Sequence, residues 1–394
     1  MKQSTERILT THTGSLPRPA KLRAALRILD SGERPNWDEF KQTVQASVVE
    51  VVRQQRDVGL DVINDGEMSK VSYATYVTER LGGYGGRGAT PPIGDARDYP
   101  EWAKAAGMDD ISDLLTTPAC VGPVTYADRE MLDADILNLR AATVDSGATD
   151  VFMSSASPGV ISFFHENQFY PTHEEYVAAL AAAMKTEYDA IHDAGFILQI
   201  DCPDLAMGRH NQWPDKSLEE WRRIAMMHVE ALNEATRDIP ADAMRIHLCW
   251  GNYEGPHHLD VALSDVLDIV LKATPSAISF EAANPRHAHE WKVFEDVRLP
   301  DAKTLIPGVI DSTTNYIEHP ELVADRIMNF AKAVGRERVI AGTDCGFATA
   351  SEAAMVDSRI VYAKLRSLAQ GAELASAELW RGTPVHRRVA LRSM

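Results

Sequence analysis

Phe196-Ile-Leu-Gln-Ile-Asp201 is a short β-prone run. An amphipathic stretch at 172–194 precedes it, a second at 217–236 follows, and Met244-Arg-Ile-His-Leu-Cys-Trp250 is the next β-prone run. Both amphipathic stretches open on a helix-capping signal, Thr172 with Glu175 and Ser217 with Glu220, so both are predicted helices. A strand, a helix and a strand in this order make parallel neighbours.

The same alternation extends outward. Upstream are a β-prone run at 8–12 that breaks at Gly14-Ser-Leu-Pro17, a helix at 38–57 with Phe40, Val44, Val48 and Val51 at helical spacing, and strands Asp61-Val-Ile-Asn-Asp65 and Cys120-Val-Gly-Pro-Val-Thr125. Downstream are strands at 277–281, 304–310 and 338–343, with helices at 260–272, near 287–294, after Pro320 and at 351–368. Eight strand candidates, most followed by a helix, predict an α/β fold of the (β/α)8 TIM-barrel type. A doubly wound sheet fits less well, because no Gly-x-Gly-x-x-Gly turn follows the first strand. The chain reads as one domain, 1–394. A long Gly-rich insertion after the second strand, 66–118, contains Leu81-Gly-Gly-Tyr-Gly-Gly-Arg-Gly88 and is expected to be a loop or lid.

The net charge of −17 argues against nucleic acid and anionic membranes as partners. No apolar run reaches the roughly 18 residues that span a bilayer. The N-terminal residues are too polar for a secretory signal, and the four cysteines form no close pair. A reduced, cytoplasmic protein is expected, and a homo-oligomer is compatible with the sequence.

In a barrel the chemistry sits at the carboxyl ends of the strands. There the assignment places Asp65 and Glu67, Asp201, His247 and Cys249, Glu281, Asp311, and Asp344 with Cys345. His247 and Cys249 are two apart, so on a strand they share a side. One imidazole and two thiols can converge on a zinc ion and leave one position open, as catalytic zinc does. Cys120 and Cys202 read as packing residues. His257-His258 and His287 with His289 are rival metal candidates, expected to be exposed in loops or helix starts.

These residues carry a family resemblance. Gly14-Ser15-x-Pro17, Asp65-Gly-Glu67, Gly122-Pro-Val-Thr125, Gln199-Ile-Asp201, His247-x-Cys249, Ile278-Ser-Phe-Glu281, Gly308-Val-Ile-Asp311 and Asp344-Cys-Gly346 resemble, in order and spacing, the catalytic barrel of cobalamin-independent methionine synthase. The chain also looks like the single-barrel relatives, which include the epoxyalkane–coenzyme M transferases. The resemblance implies a zinc-dependent thiol methyl- or alkyltransferase of the methyltetrahydropteroylglutamate–homocysteine methyltransferase type. His247, Cys249 and Cys345 would be the zinc ligands, with Glu281 a further one that yields to the incoming thiol. Glu67 and Asp201 would be catalytic and substrate-binding acids, alongside Gly14 and Ser15, although either acid can instead cap a helix or pair with a base. His12 and Arg18 resemble the single-barrel relatives and are further candidates for substrate binding. Asp344 would orient a ligand or simply bond within its loop.

The implied partners are a small-molecule thiol and a methyl or alkyl donor, and the implied reaction is attack of a zinc-bound thiolate on an activated carbon. Two departures stand out. The chain has no room for the synthase's second barrel. The run Asp311-Ser-Thr-Thr-Asn315 lacks the histidine thought to protonate the departing folate nitrogen, which weakens the case for methyltetrahydrofolate. An epoxide–thiol transferase and a metal-free barrel like uroporphyrinogen decarboxylase are the alternatives.

Overall fold

The structure is a computed structural model that describes residues 1–33, 35–89, 93–108, 117–351 and 355–381. Eight parallel strands form the barrel: β1 (Leu9–Thr10), β2 (Val62–Ile63), β5 (Asp150–Ala156), β6 (Ile197–Asp201), β7 (Met244–His247), β8 (Ala277–Phe280), β9 (Thr304–Ile310) and β10 (Ile340–Thr343). Their order is β1-β10-β9-β8-β7-β6-β5-β2. Between the two ends of this sheet the Asp61 N–H donates to the Thr10 carbonyl at 3.1 Å, and the Asp61 carboxylate accepts from the Thr10 N–H at 2.9 Å. A side chain thus completes the closure that two very short strands leave open.

The register sets the height of the site. Ala156 lies beside Asp201, Asp201 beside His247, and His247 beside Ser279, so three successive strands end level. Below this rim the barrel is filled by a buried cation. Arg245 donates to Gln199 at 2.8 Å, to the Thr11 hydroxyl at 3.0 Å and to the His12 carbonyl at 2.9 Å, and lies 3.5 Å over the Phe152 ring. These partners are oxygens and an aromatic face, which is what a buried guanidinium requires.

The helices follow the sequence signals where capping is explicit. Ser217 and Glu220 form a full capping box on Leu218–Ala235, and Thr172 accepts from the Glu175 N–H on His173–Asp193. The helices expected at 260–272 and 287–294 are instead short turns, Leu263–Asp265 with Leu267–Val270, and Glu290–Lys292 with Val293–Asp296. Asp260, at the head of the first, bonds to His257 and His287 and holds this stretch in a loop. The last helix runs over Ser358–Arg381, further along than expected.

One strand was misplaced by the sequence. Cys120–Thr125 belongs to β4 (Ala119–Tyr126), which pairs antiparallel with β3 (Leu81–Gly85) outside the barrel. The third barrel strand is β5, between β2 and β6. Its carboxyl half carries Ser154 and Ser155, which donate to Glu67 at 2.6 Å and to Glu187 at 2.8 Å, so it lacks the apolar run by which buried strands are read. Leu81–Gly85, within the expected Gly-rich loop, is therefore a strand. Gly83, at φ +95°, is required there, because a Cβ would sit 2.6 Å from the Pro123 carbonyl. The rest of the insertion includes two short helices, Gly94–Asp98 and Pro100–Ala105. Pro91 and Pro92 lie outside the described residues.

The hairpin is fixed to the barrel by charge. Arg80, just before β3, pairs with Glu187 at 3.0 Å and Asp135 at 2.7 Å, all three buried, and Tyr126 donates to Glu187 at 2.7 Å. No helix among the described residues is long and apolar enough to cross a membrane.

Candidate active site

The carboxyl ends of the strands open into a cavity of about 190 Å³, whose lining includes Ser15, Glu67, Asp201, His247, Cys249 and Cys345. Two strands supply the last three groups, β7 with the turn after it and the loop after β10, and their ligand atoms all lie within 4.8 Å of one another. Among the described residues this is the one cluster of its kind.

Cys249 lies two residues beyond the end of β7, and the backbone turns sharply after it. Gly251 has φ +131°, and a Cβ there would meet the Tyr253 ring at 2.5 Å. The Gly251 N–H donates to the Cys249 sulfur at 3.3 Å. Cys345 follows β10, with its N–H on the Ser312 hydroxyl at 3.2 Å. Asn252 bridges the two loops, accepting from Ser312 at 2.9 Å and donating to the Gly346 carbonyl at 2.8 Å. The two sulfurs approach to 2.9 Å.

His247 and both cysteines are buried. Burial holds the imidazole neutral, down to about 3, and Arg245 adds to this. Its Nδ1 has no hydrogen-bond partner. Burial pushes the Cys345 thiol well above its ordinary range, and Cys249 adds to this. A hydrogen bond from Cys345 pulls the Cys249 thiol down, but burial and Glu281 leave it raised. A buried, neutral histidine with an orphaned ring nitrogen, clustered with two sulfurs, is a donor set that suits a thiophilic cation, which would hold both sulfurs as thiolates.

Glu281 does not line the cavity. Its Oε1 accepts from the Trp250 N–H at 2.7 Å and lies 3.8 Å from the Cys345 sulfur, and its Oε2 accepts from Asn284 at 3.1 Å. Asp344 accepts three backbone N–H groups, from Ala282 and Ala283 at 2.8 Å each and Asn284 at 2.6 Å. It thereby ties the loop that carries Cys345 to the loop that carries Glu281.

The acids form the opposite wall. Glu67 stands at φ +57°, rare for a residue with a side chain. Its N–H bonds to Asp65 at 3.0 Å, and its carbonyl accepts from Arg18 at 2.8 Å. Glu67 Oε1 accepts from Ser154, whereas Oε2 is buried without a partner. Burial, and then the Glu67 charge, drive the Asp201 carboxyl well above its usual range. Two buried acids with an open acceptor position suit a cationic group of a ligand. Gly14 lies against this pair, since a Cβ there would sit 2.6 Å from Glu67 Oε1.

His12 and Arg18 stand behind the wall. His12 bonds to Gln55 at 2.8 Å, and Arg18 also donates to the Ala348 carbonyl at 2.7 Å. The rival histidines are placed differently from expectation: His257 and His287 are buried, bonded to Asp260 at 2.9 and 2.8 Å, while His289 is exposed. Sequence reasoning missed the aromatic wall of the cavity, Tyr73, Phe163, Phe164 and Tyr253. Phe163 and Phe164 end the short helix that follows β5, so recognising that strand would have marked them.

Residues 8–90 and 161–363 match the family model described as the catalytic domain of the cobalamin-independent synthase. A methionine synthase of Thermococcus kodakarensis is 25% identical over 373 residues, 94% of each chain, and one of Pyrococcus horikoshii is 26% identical over 373 residues, again 94% of each. Among solved structures, a B12-independent methionine synthase from a Shewanella species, in complex with selenomethionine, superimposes with a TM-score of 0.70 at 20% identity, covering 95% of this chain and 99% of that one. One from Listeria monocytogenes gives 0.65 at 19% identity, covering 93% and 98%.

Proposed function

The chain belongs to the family of the cobalamin-independent synthase catalytic domain, and from that premise we propose that it is a zinc-dependent thiol methyltransferase that methylates homocysteine. The observation that carries this reading is the single cavity on which Ser15, Glu67, Asp201 and the trio His247, Cys249 and Cys345 converge. His247, Cys249 and Cys345 would hold the zinc, with Glu281, 3.8 Å from the Cys345 sulfur, as a fourth ligand that gives way to substrate. When bound, zinc keeps a substrate sulfur as thiolate at neutral pH, where a free thiol with a pKa of about 8.5 is mostly protonated.

The chain's own residues then orient the nucleophile. The substrate ammonium bonds to Glu67 Oε2 and Asp201, and its carboxylate lies against Gly14 and Ser15. With both ends of the amino acid fixed, the sulfur has one direction of attack, and positioning supplies much of the acceleration. Within the insertion, the described stretch 93–108 acts as a lid, closing the cavity through Ile93. The thiol chemistry and the free cysteines suit the reducing cytoplasm.

The test is direct. Purified protein should carry about one zinc per chain and convert homocysteine to methionine with a methyl donor. Cys249→Ser and Cys345→Ser should each lose zinc and thiol affinity together. Metal-free protein that still methylates homocysteine would sink the proposal.

A further inference from the structure

Part of the cavity lining is built from aromatic rings. Tyr73 packs edge-on to Phe164 at 5.9 Å, Phe164 edge-on to Phe163 at 4.8 Å, and Tyr253 completes the wall. The Tyr253 hydroxyl is turned away to Asp95 at 2.9 Å, so this residue offers its ring rather than its oxygen.

No lysine or arginine lines the cavity among the described residues, and its carboxylates are Glu67 and Asp201. The basic groups behind the walls donate elsewhere. Arg18 bonds to the carbonyls of Glu67 and Ala348, Lys70 to the Ser154 carbonyl at 2.6 Å, and Arg245 to Gln199, Thr11 and His12. Among the described residues a strongly anionic donor would meet no basic side chain in this lining, whereas a cation would meet aromatic rings beside Glu67 and Asp201. The volume, about 190 Å³, is below the roughly 300–1,000 Å³ of pockets for drug-sized ligands.

The leaving group points the same way. A methyl group leaving a neutral amine requires a proton on the departing nitrogen. Among the described residues the aromatic side offers no imidazole and no carboxyl for this, and both acids stand on the wall assigned to the amino acid. A methyl group leaving a sulfonium requires no proton.

Resting on the thiol-methylation reading above, we propose that the methyl donor is a small methylsulfonium, bound through its positive charge by the ring faces of Tyr73, Phe163, Phe164 and Tyr253. The step balances without a further reactant. The homocysteine thiol has released its proton to solvent on binding. A sulfur–carbon bond forms to the methyl, the carbon–sulfonium bond breaks, and its electron pair stays on the departing sulfur, which leaves as a neutral thioether.

The experiment uses zinc-loaded protein. Homocysteine binding is first measured by calorimetry without donor. Methionine formation is then followed with S-methylmethionine, trimethylsulfonium, methyltetrahydrofolate and methylcobalamin. The expected result is turnover with at least one sulfonium, at least tenfold above either of the other two donors. Choline should bind to the homocysteine-loaded protein about tenfold more tightly than its neutral isostere 3,3-dimethylbutan-1-ol. Phe163→Leu, which keeps apolar bulk, should raise the KM for sulfonium about tenfold while homocysteine still binds. Homocysteine binding with turnover only from methyltetrahydrofolate or methylcobalamin, or from none of the four, overturns this inference and leaves the thiol site standing. Failure to bind homocysteine at all overturns the function itself, and this inference with it.

Discussion

Glu67→Gln separates substrate recognition from stability at one atom. In the protein Glu67 Oε1 is satisfied by Ser154 at 2.6 Å, while Oε2 is buried and unpartnered. Under the proposed role a substrate ammonium completes it. Glutamine keeps the Ser154 bond but presents an N–H donor where the ammonium should dock. A hydrogen bond to a charged group contributes about 1.5–3 kcal/mol, so the KM for homocysteine should rise by roughly tenfold to 150-fold. The desamino analogue 4-mercaptobutyrate has no ammonium and should be affected less than threefold. Stability should move the other way. The raised carboxyl of Asp201, caused by burial and then by Glu67, costs stability at every pH above its unfolded value of about 3.9. Removing the Glu67 charge lessens that cost, so the variant's unfolding midpoint should exceed that of the parent at pH 7, with the gain closing as the pH falls toward about 4. Equal losses with both thiols, or unchanged affinity for homocysteine, would refute the reasoning.

Asp260→Asn tests the buried histidine pair. Against burial, which lowers them, hydrogen bonds to Asp260 raise His257 to about 9 and His287 to about 10. This contribution is fully present below their unfolded pKa of about 6.5 and is lost as pH rises through those values. The parent should therefore lose stability between neutrality and about pH 10; the variant should be about 3 kcal/mol less stable at pH 7 and show a smaller alkaline limb in denaturant titrations, because Glu290 still raises His287. Gly346→Ala should depress zinc content or thiol affinity, because its Cβ would sit 2.1 Å from the Ser15 hydroxyl, beside Cys345; a fully active variant contradicts the packing. Ser217→Ala removes the capping box of the 218–235 helix and should cost about 1 kcal/mol in unfolding experiments with no change in turnover.

The barrel was legible wherever periodicity and capping agreed, as at 172–201 and 217–250. It failed at β5, because a strand that places Ser154 on one face and Ser155 on the other does not read as apolar. A β-prone hairpin arm, Cys120–Thr125, then took its place in the count. The rim residues were legible because strand ends are marked by acids, His-x-Cys and Asp-Cys-Gly. What escaped was the environment that gives them their chemistry. Nothing in the sequence says that Arg18 clamps the Glu67 carbonyl, that Asp344 collects three N–H groups from the loop of Glu281, or that Asp260 gathers His257 and His287 into the interior. Apart from Asp260 to His257, three positions away, those contacts join residues 27 to 62 positions apart, and one sequence holds no record of them. The aromatic wall was hidden for the same reason, since its rings come from three separate segments.

The central claim is that His247, Cys249 and Cys345 hold a zinc with a position open to substrate thiol. The most direct measurement is zinc K-edge X-ray absorption on zinc-loaded protein, before and after homocysteine, with homoserine as the oxygen control. The account predicts two sulfur neighbours in the free protein and three with homocysteine, one nitrogen or oxygen neighbour being displaced, and no change with homoserine. A zinc held by four protein ligands whose sulfur count ignores homocysteine would contradict it.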